Sequence, residues 1–315
     1  MEYIEVTSNP PEDSTPLVLV IGKFDGVHRG HSKLLHIAHE YNDGILAVMS
    51  FSDHPSWILK CDSDYEKSLT PIHHKMTLLQ NHGVERFYNI QFTKEYARIT
   101  AKEFVLDHLS RLNIKQIVVG EGFHLGKARE SDTDDLIKLC QQIGIPVTVI
   151  PLLKEEGNNI SSTTIRSLIK EGEVVVAEGL LGRPYNVTGH VIHGEALGRT
   201  LGFPTINLAG EVDRYVRPKP GVYVGVAEIT NGDHGIERHN ALISAGYRPT
   251  VEGETYLIEA YLLHFSGDLY ERKVSLSFLS YLREEIKFSD LDELVEQMKL
   301  DERDAEVFFE NFENE

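Results

Sequence analysis

Two histidines three residues apart, His28 and His31, are the first side chains of this chain that could do chemistry as a pair. They lie in the string Gly22-Lys23-Phe24-Asp25-Gly26-Val27-His28-Arg29-Gly30-His31. An apolar run at residues 17–21 precedes it, and Leu34, Leu35, Ile37, Ala38 and Tyr41 follow near helical spacing. That order predicts strand, glycine-rich turn, helix. Such a turn offers backbone N–H groups and a helix N-terminus to an anion above the sheet. Both histidines can face that anion, hydrogen-bond phosphate oxygens and stabilise charge that develops during transfer. An isolated HxxH reads as two surface histidines; Gly22, Phe24, Asp25 and Gly30 around the pair make this string far more specific.

Three further groups carry chemistry. Ser161-Ser162-Thr163-Thr164-Ile165-Arg166 reads as a helix start, with Ser162 or Thr163 as the cap and Ile165, Leu168 and Ile169 on the buried face. Capping explains the hydroxyls but not Arg166, one turn in, whose planar fork suits phosphate. Farther on, Gly194 and Gly198-Arg199-Thr200-Leu201-Gly202 lead into Phe203-Pro204-Thr205-Ile206-Asn207. Glycines allow the backbone to approach a ligand. Thr205 and Asn207 offer hard oxygen ligands two residues apart, of the kind Mg²⁺ takes together with substrate phosphates. The plainer reading is a glycine-rich loop closed by a polar turn. Glu259 stands among apolar neighbours, Leu257, Ile258, Ala260, Tyr261, Leu262 and Leu263, where a charge needs a partner or a task. Strand alternation can equally put it on a solvent face. Residues 122–127 imitate a phosphate loop, but Ala128 stands where the Ser or Thr of that motif belongs.

The elements that must position these groups fall into two patterns. Candidate strands at residues 17–21, 45–51, 86–91, 116–119 and 147–150 alternate with candidate helices at 32–41, 72–82, 101–112, 132–144 and 163–170. This alternation predicts an α/β unit with a parallel sheet covered by helices on both faces, and ligands at the carboxyl ends of its strands. After Gly182 the pattern turns to strands at 190–193, 222–229, 240–244, 256–265 and 273–281, punctuated by Gly and Pro. That predicts a small antiparallel barrel. Residues 290–312 carry Leu291, Leu294, Val295, Met298 and Leu300 near helical spacing, as a helix packed on the barrel or, less simply, an acidic tail. The expected division lies near residues 181–184, giving units 1–182 and 183–315.

Bulk properties narrow the partners. A chain of 315 residues has room for one or two domains with real cores. A formal charge of −18 argues against nucleic acid, which needs basic surface, while leaving a nucleotide possible. No apolar run reaches the length of a membrane span, and residues 1–16 lack a signal-peptide core. Cys61 and Cys140 are too few and too far apart for a disulfide framework or a cysteine zinc site. A cytoplasmic protein acting on small molecules, as a monomer or weak homo-oligomer, is the simplest expectation.

The motifs resemble those of bacterial FAD synthetases. The GxFDGVHxGH string is similar to the HxGH signature of nucleotidyltransferases in the form seen in that family. SSTTIR resembles its SSTxIR motif, which grips the triphosphate. Ser50-Phe51-Ser52-Asp53-His54-Pro55 is similar to TFxPHP, with Asp53 in place of proline. Residues 120–127 correspond to a GxDFxFG segment in which Gly122 replaces an acidic or amide residue and Leu125 an aromatic. The stretch from Gly194 to Asn207 resembles the GxxxGRxxGFPTAN signature of bacterial riboflavin kinases, with Ile206 for Ala. Glu259 aligns with the catalytic Glu of the ExHLLDF segment, where Tyr261 and His264 are substitutions. Ser244-Ala245-Gly246 differs from a common NIG, and Arg283, Lys287 and Phe288 resemble RxExKF.

The resemblance implies an N-terminal Rossmann-like FMN adenylyltransferase and a C-terminal riboflavin kinase barrel. Substrates and products would be ATP, riboflavin, FMN and FAD, with Mg²⁺. It implies catalytic roles for His28, His31 and Arg166, and nucleotide or substrate binding by Gly22, Phe24, Asp25, Gly30, His54, Ser161, Ser162 and Thr163. In the kinase it implies Glu259 as the base, Thr205 and Asn207 on the metal, and binding by Gly194, Gly198, Arg199, Gly202, Pro204 and Arg283. Two other readings remain: an adenylyltransferase with a degenerate kinase half, and a flavin-binding sensor without turnover.

Overall fold

Leu17, Leu19 and Ile21 alternate with Val18 and Val20 along strand β2 (Asp13–Ile21), and all five are buried. The odd-numbered set packs into one apolar cluster and the even-numbered set into another. A strand buried on both faces belongs inside a parallel sheet covered on both sides. The computed structural model describes residues 1–155, 157–194, 197–230, 235–250 and 253–312 and shows that sheet. Its strands are β1 (Glu2–Val6), β2, β3 (Ile45–Phe51), β4 (Arg86–Ile90), β5 (Leu112–Gly120) and β6 (Val147–Ile150). They lie in the order β1-β4-β3-β2-β5-β6 with every pairing parallel.

The helices of this unit are α1 (Arg29–His39), α2 (Pro55–Lys60), α3 (Ile72–Asn81), α4 (Ala101–Glu103) and α5 (Thr133–Gln141). The helix expected over 101–112 is instead three short turns. Thr100 and Glu103 form a reciprocal cap on α4, a π-helical turn follows at Phe104–His108, and a 3₁₀ turn at Leu109–Arg111 ends where β5 begins. Strand β1, which was not among the expected strands, is an edge strand paired on one side only. A two-residue hairpin, β7 (Lys154–Glu155) and β8 (Asn158–Asn159), precedes helix α6 (Ser162–Glu171).

Two compact units divide the chain, Met1–Ser162 and Thr163–Glu315. Beyond α6 and α7 (Val174–Leu181) the second unit is a closed antiparallel barrel. Its strands are β9 (Tyr185–Ile192), β10 (Thr205–Ala209), β11 (Gly221–Thr230), β12 (Ile236–Thr250), β13 (Gly253–Leu262) and β14 (Lys273–Arg283), in the order β10-β13-β12-β11-β14-β9. Tyr223, Ala227, Ile243, Ile258, Ala260 and Phe278 alternate with half-exposed residues and fill the interior. The terminal helix α9 (Leu291–Phe312) covers part of the outer wall. There Ala305 and Phe309 pack on Val224, Leu242, Leu263 and Leu279. A bidentate pair from Arg283 to the buried carboxylate of Asp301 ties this helix to the end of β14. The acidic segment is thus a packed helix.

Candidate active sites

The turn after β2 is shaped by three residues in the left-handed region, Phe24 (φ 50°), Gly26 (φ 86°) and Val27 (φ 40°). For Phe and Val this conformation is strained and persists only where the surroundings enforce it. They do so through several bonds. The Asp25 carboxylate accepts from the N–H of Leu69 at 2.9 Å, and Gly26 N–H donates to the Thr70 hydroxyl at 3.0 Å. The Ser162 hydroxyl donates to the Asp25 carbonyl at 2.7 Å. Phe24 is fully buried, and a Cβ on Gly22 would press on its ring at 3.2 Å.

The turn delivers both histidines to the start of α1. His28 is the N-cap, its Nδ1 accepting from the His31 N–H at 3.3 Å, and the two rings stack with centroids 3.7 Å apart. Gly30 makes this possible, since a Cβ there would lie 3.0 Å from His28 Cε1. Arg29 points elsewhere and pairs with Glu155 of the small hairpin at 2.9 Å. At the end of β3, His54 caps α2 by accepting from Ser56 N–H at 3.1 Å. Its Nε2 lies 3.0 Å from Lys23 Nζ, and its ring stacks on Tyr65.

Ser162, expected as a cap, is the first residue of α6 and spends its hydroxyl on the Asp25 carbonyl, which leaves Ser161 at the cap position. Thr163 is exposed, and Arg166, one turn on, is buried. Asp25, expected at the substrate, turns its carboxylate to the backbone of residues 69–70 and so anchors the turn. Gly122 is exposed, lies outside the left-handed region and has space for a Cβ, with only Leu152 near at 3.9 Å. His124 beside it is also exposed, while Leu125 is buried.

In the barrel, the stretch expected as a loop is strand β10, and its register assembles the second site. Asn207 stands directly opposite Glu259 of β13, and Glu259 stands opposite Ser244 of β12. Side chains of paired residues share one face of a sheet, and Thr205 joins them by the period of two. The interior is filled by Ile258 and Ala260, so Glu259, with a quarter of its side chain exposed, faces outward. Gly194 lets the Asn207 amide lie against the backbone, since a Cβ there would be 2.4 Å from its side-chain nitrogen. Gly198 and Phe203 close a tight turn before β10, in which Phe203 N–H donates to the Gly198 carbonyl at 2.8 Å. Gly202 within it has φ 89°, and Pro204 is exposed. Arg199 sits in the short helix α8 (Leu197–Thr200), with its side chain outside the described residues.

Arg248 was not singled out from sequence as a site residue. Its guanidinium lies 3.8 Å from the Glu259 carboxylate, donates to the Ser244 hydroxyl at 3.2 Å and pairs with Glu285. Arg283, expected at the ligand, is committed to Asp301 and to the Glu284 carbonyl. Tyr261 and His264, the two substitutions near Glu259, both meet carboxylates of α9: the Tyr261 hydroxyl donates to Glu302 at 2.9 Å, and His264 lies 3.2 Å from Glu306. Burial, with Glu302, pushes the Tyr261 hydroxyl up to about 12. Among the described residues no three His, Cys, Asp or Glu side chains gather as a metal site. The hydroxyl of Thr205 and the amide oxygen of Asn207 on a single face instead suit a Mg²⁺ that keeps phosphate and water ligands.

The strained turn with its paired histidines lies at the carboxyl edge of a parallel sheet, and the same chain carries an outward-facing Thr-Asn-Glu set on a barrel. The FAD synthetase family model matches residues 10–164 and the riboflavin kinase model residues 181–309. The chain is 35% identical to a bifunctional riboflavin kinase/FMN adenylyltransferase of Listeria monocytogenes, over 94% of each chain. It is 42% identical to an FAD synthetase of the same organism, over 73% of this chain and 91% of that one. A crystal structure titled as a macrolide-efflux protein of Streptococcus pneumoniae matches with a TM-score of 0.86 and 31% identity, over 97% of this chain and 99% of that one. The chain therefore belongs to the bifunctional riboflavin kinase/FMN adenylyltransferase family. Among its described residues no helix is long and apolar enough to cross a membrane.

Proposed function

We propose that the two units carry out successive steps on one flavin, with the residue roles that follow. In the C-terminal unit the riboflavin 5′-hydroxyl attacks the γ-phosphorus of ATP, Glu259 takes the hydroxyl proton, and ADP leaves. Thr205 and Asn207 would hold Mg²⁺, which neutralises phosphate charge when bound. In the N-terminal unit the FMN phosphate attacks the α-phosphorus of ATP; the α–β bond breaks, giving FAD and pyrophosphate. His28, His31 and Ser162 stabilise the charge that develops, and neither half forms a covalent enzyme intermediate.

The observation that carries the kinase reading is the register that sets Asn207 opposite Glu259. The 42% identity to a relative named only FAD synthetase favours a second reading, adenylylation alone. The assembled Thr205–Asn207–Glu259 face supports the first. Cytoplasmic location and a monomer or weak homo-oligomer belong to the same proposal, as does the absence of a nucleic-acid partner, supported by the net charge of −18. Chromatography of products from ATP, Mg²⁺ and either riboflavin or FMN, with and without reductant, tests it. FMN and FAD from riboflavin are expected. FAD from FMN but nothing from riboflavin would establish the second reading, and no product from either flavin would mark a sensor.

A further inference from the structure

Lys75 lies on α3, on the same face as the fully buried Leu79, and is itself 7% exposed. Burying an ammonium is costly, and a methionine would fill the same space without that cost. The charge works against folding unless it does something local. Its partners show what. Nζ donates to the Lys23 carbonyl at 3.1 Å and lies 3.5 Å from the Ser50 hydroxyl, which itself donates to the Lys23 carbonyl at 2.8 Å. Lys23 immediately precedes Phe24, where the strained path begins. Burial holds the ammonium below its ordinary range, while the carboxylates of Asp25 and Asp53 pull the other way.

We propose that Lys75 is a positioning residue for nucleotidyl transfer: with Ser50 it clamps the Lys23 carbonyl and so holds the turn that presents His28 and His31. A strained segment keeps its shape only when it is over-determined. The Asp25 and Gly26 contacts pin the middle of this turn, and the Lys75–Ser50 clamp pins its entrance. A charge-assisted bond to a carbonyl is stronger than a neutral one, which suits a clamp under strain. The inference rests on the adenylyltransferase reading of this unit.

The test compares Lys75→Met with the parent full-length enzyme. Lys75→Met should lower kcat for FAD formation from FMN by about tenfold or more, with KM for ATP within about threefold, as expected when transition-state alignment is lost. Riboflavin phosphorylation in the same chain should stay unchanged. The imidazole resonances of His28 and His31 should shift in a heteronuclear spectrum. A packing role alone would lower the melting temperature and leave both kcat and those resonances at parental values; that outcome overturns the proposal. If Lys75→Met unfolds the N-terminal unit, Lys75→Gln and Ser50→Ala carry the test, and parental kcat in both overturns it. A parent that makes no FAD would instead refute the adenylyltransferase reading.

Discussion

A Cβ on Gly194 would intrude on the Asn207 amide, and one on Gly30 would crowd the His28 ring. Both glycines serve the site by leaving space. Gly194→Ala should displace Asn207 and cut riboflavin phosphorylation by about tenfold or more, while FAD formation from FMN persists. Gly30→Ala should do the reverse. Steady-state rates of the two reactions on each variant check this, and parallel loss of both would refute it. Gly122 poses the opposite question. The motif resemblance implies an acidic or amide residue there, and backbone and space both permit a side chain. Gly122→Asp should raise kcat/KM for FAD synthesis, by up to roughly tenfold for about 1.4 kcal/mol regained. Kinetics with FMN and reduced FMN decide; a slower variant of unchanged thermal stability would end the idea of a lost contact.

At the scale of elements, apolar runs read well and polar ones did not. Residues 45–51 and 147–150 form strands over the expected span, the first buried inside the parallel sheet and the second paired with β5 at its edge. Strand β10 escaped because it is short, flanked by Gly and Pro, and only half-buried. Its missing register hid the meeting of Asn207 with Glu259, although both had been singled out by type. Lys75 escaped because composition cannot show that a lysine at helical spacing from Leu79 is buried. The start of β2 carries a half-buried charge. Burial would raise the Asp13 carboxyl, but hydrogen bonds from the Tyr88 hydroxyl, Thr15 N–H and Arg86 overcome it and hold it at about 2. A carboxyl lowered on folding adds stability above its ordinary value of 3.8, and that stability fades as pH falls toward 2. Asp13→Asn should therefore cost about 1 kcal/mol near neutrality, since solvent screens part of the interaction, and much less below pH ~2. Urea unfolding across that range would contradict this if the difference between parent and variant were independent of pH.

At the scale of the whole molecule, the family matches stop at residue 164 and resume at 181, and the intervening helices belong to the second compact unit. Helix α7 buries Val174, Ala177, Leu180 and Leu181. We propose the functional division near Gly182, with α7 as added packing for the barrel. A 163–315 fragment should then fold and bind riboflavin, and a 183–315 fragment should bind it but melt at a lower temperature, since each buried aliphatic side chain contributes about 1.5–3 kcal/mol. Equal melting of the two would count against that role for α7. If one chain holds two separable active sites, each can be silenced without the other, and chromatography of the products reads this out. Glu259→Gln and His31→Ala are each supplied with ATP, Mg²⁺ and riboflavin, and separately with FMN. Glu259→Gln should lose FMN formation from riboflavin by about 10²-fold or more while still converting FMN to FAD. His31→Ala should accumulate FMN from riboflavin and make little FAD from either flavin. Loss of both reactions in either variant, with the fold intact by circular dichroism, would contradict two independent sites.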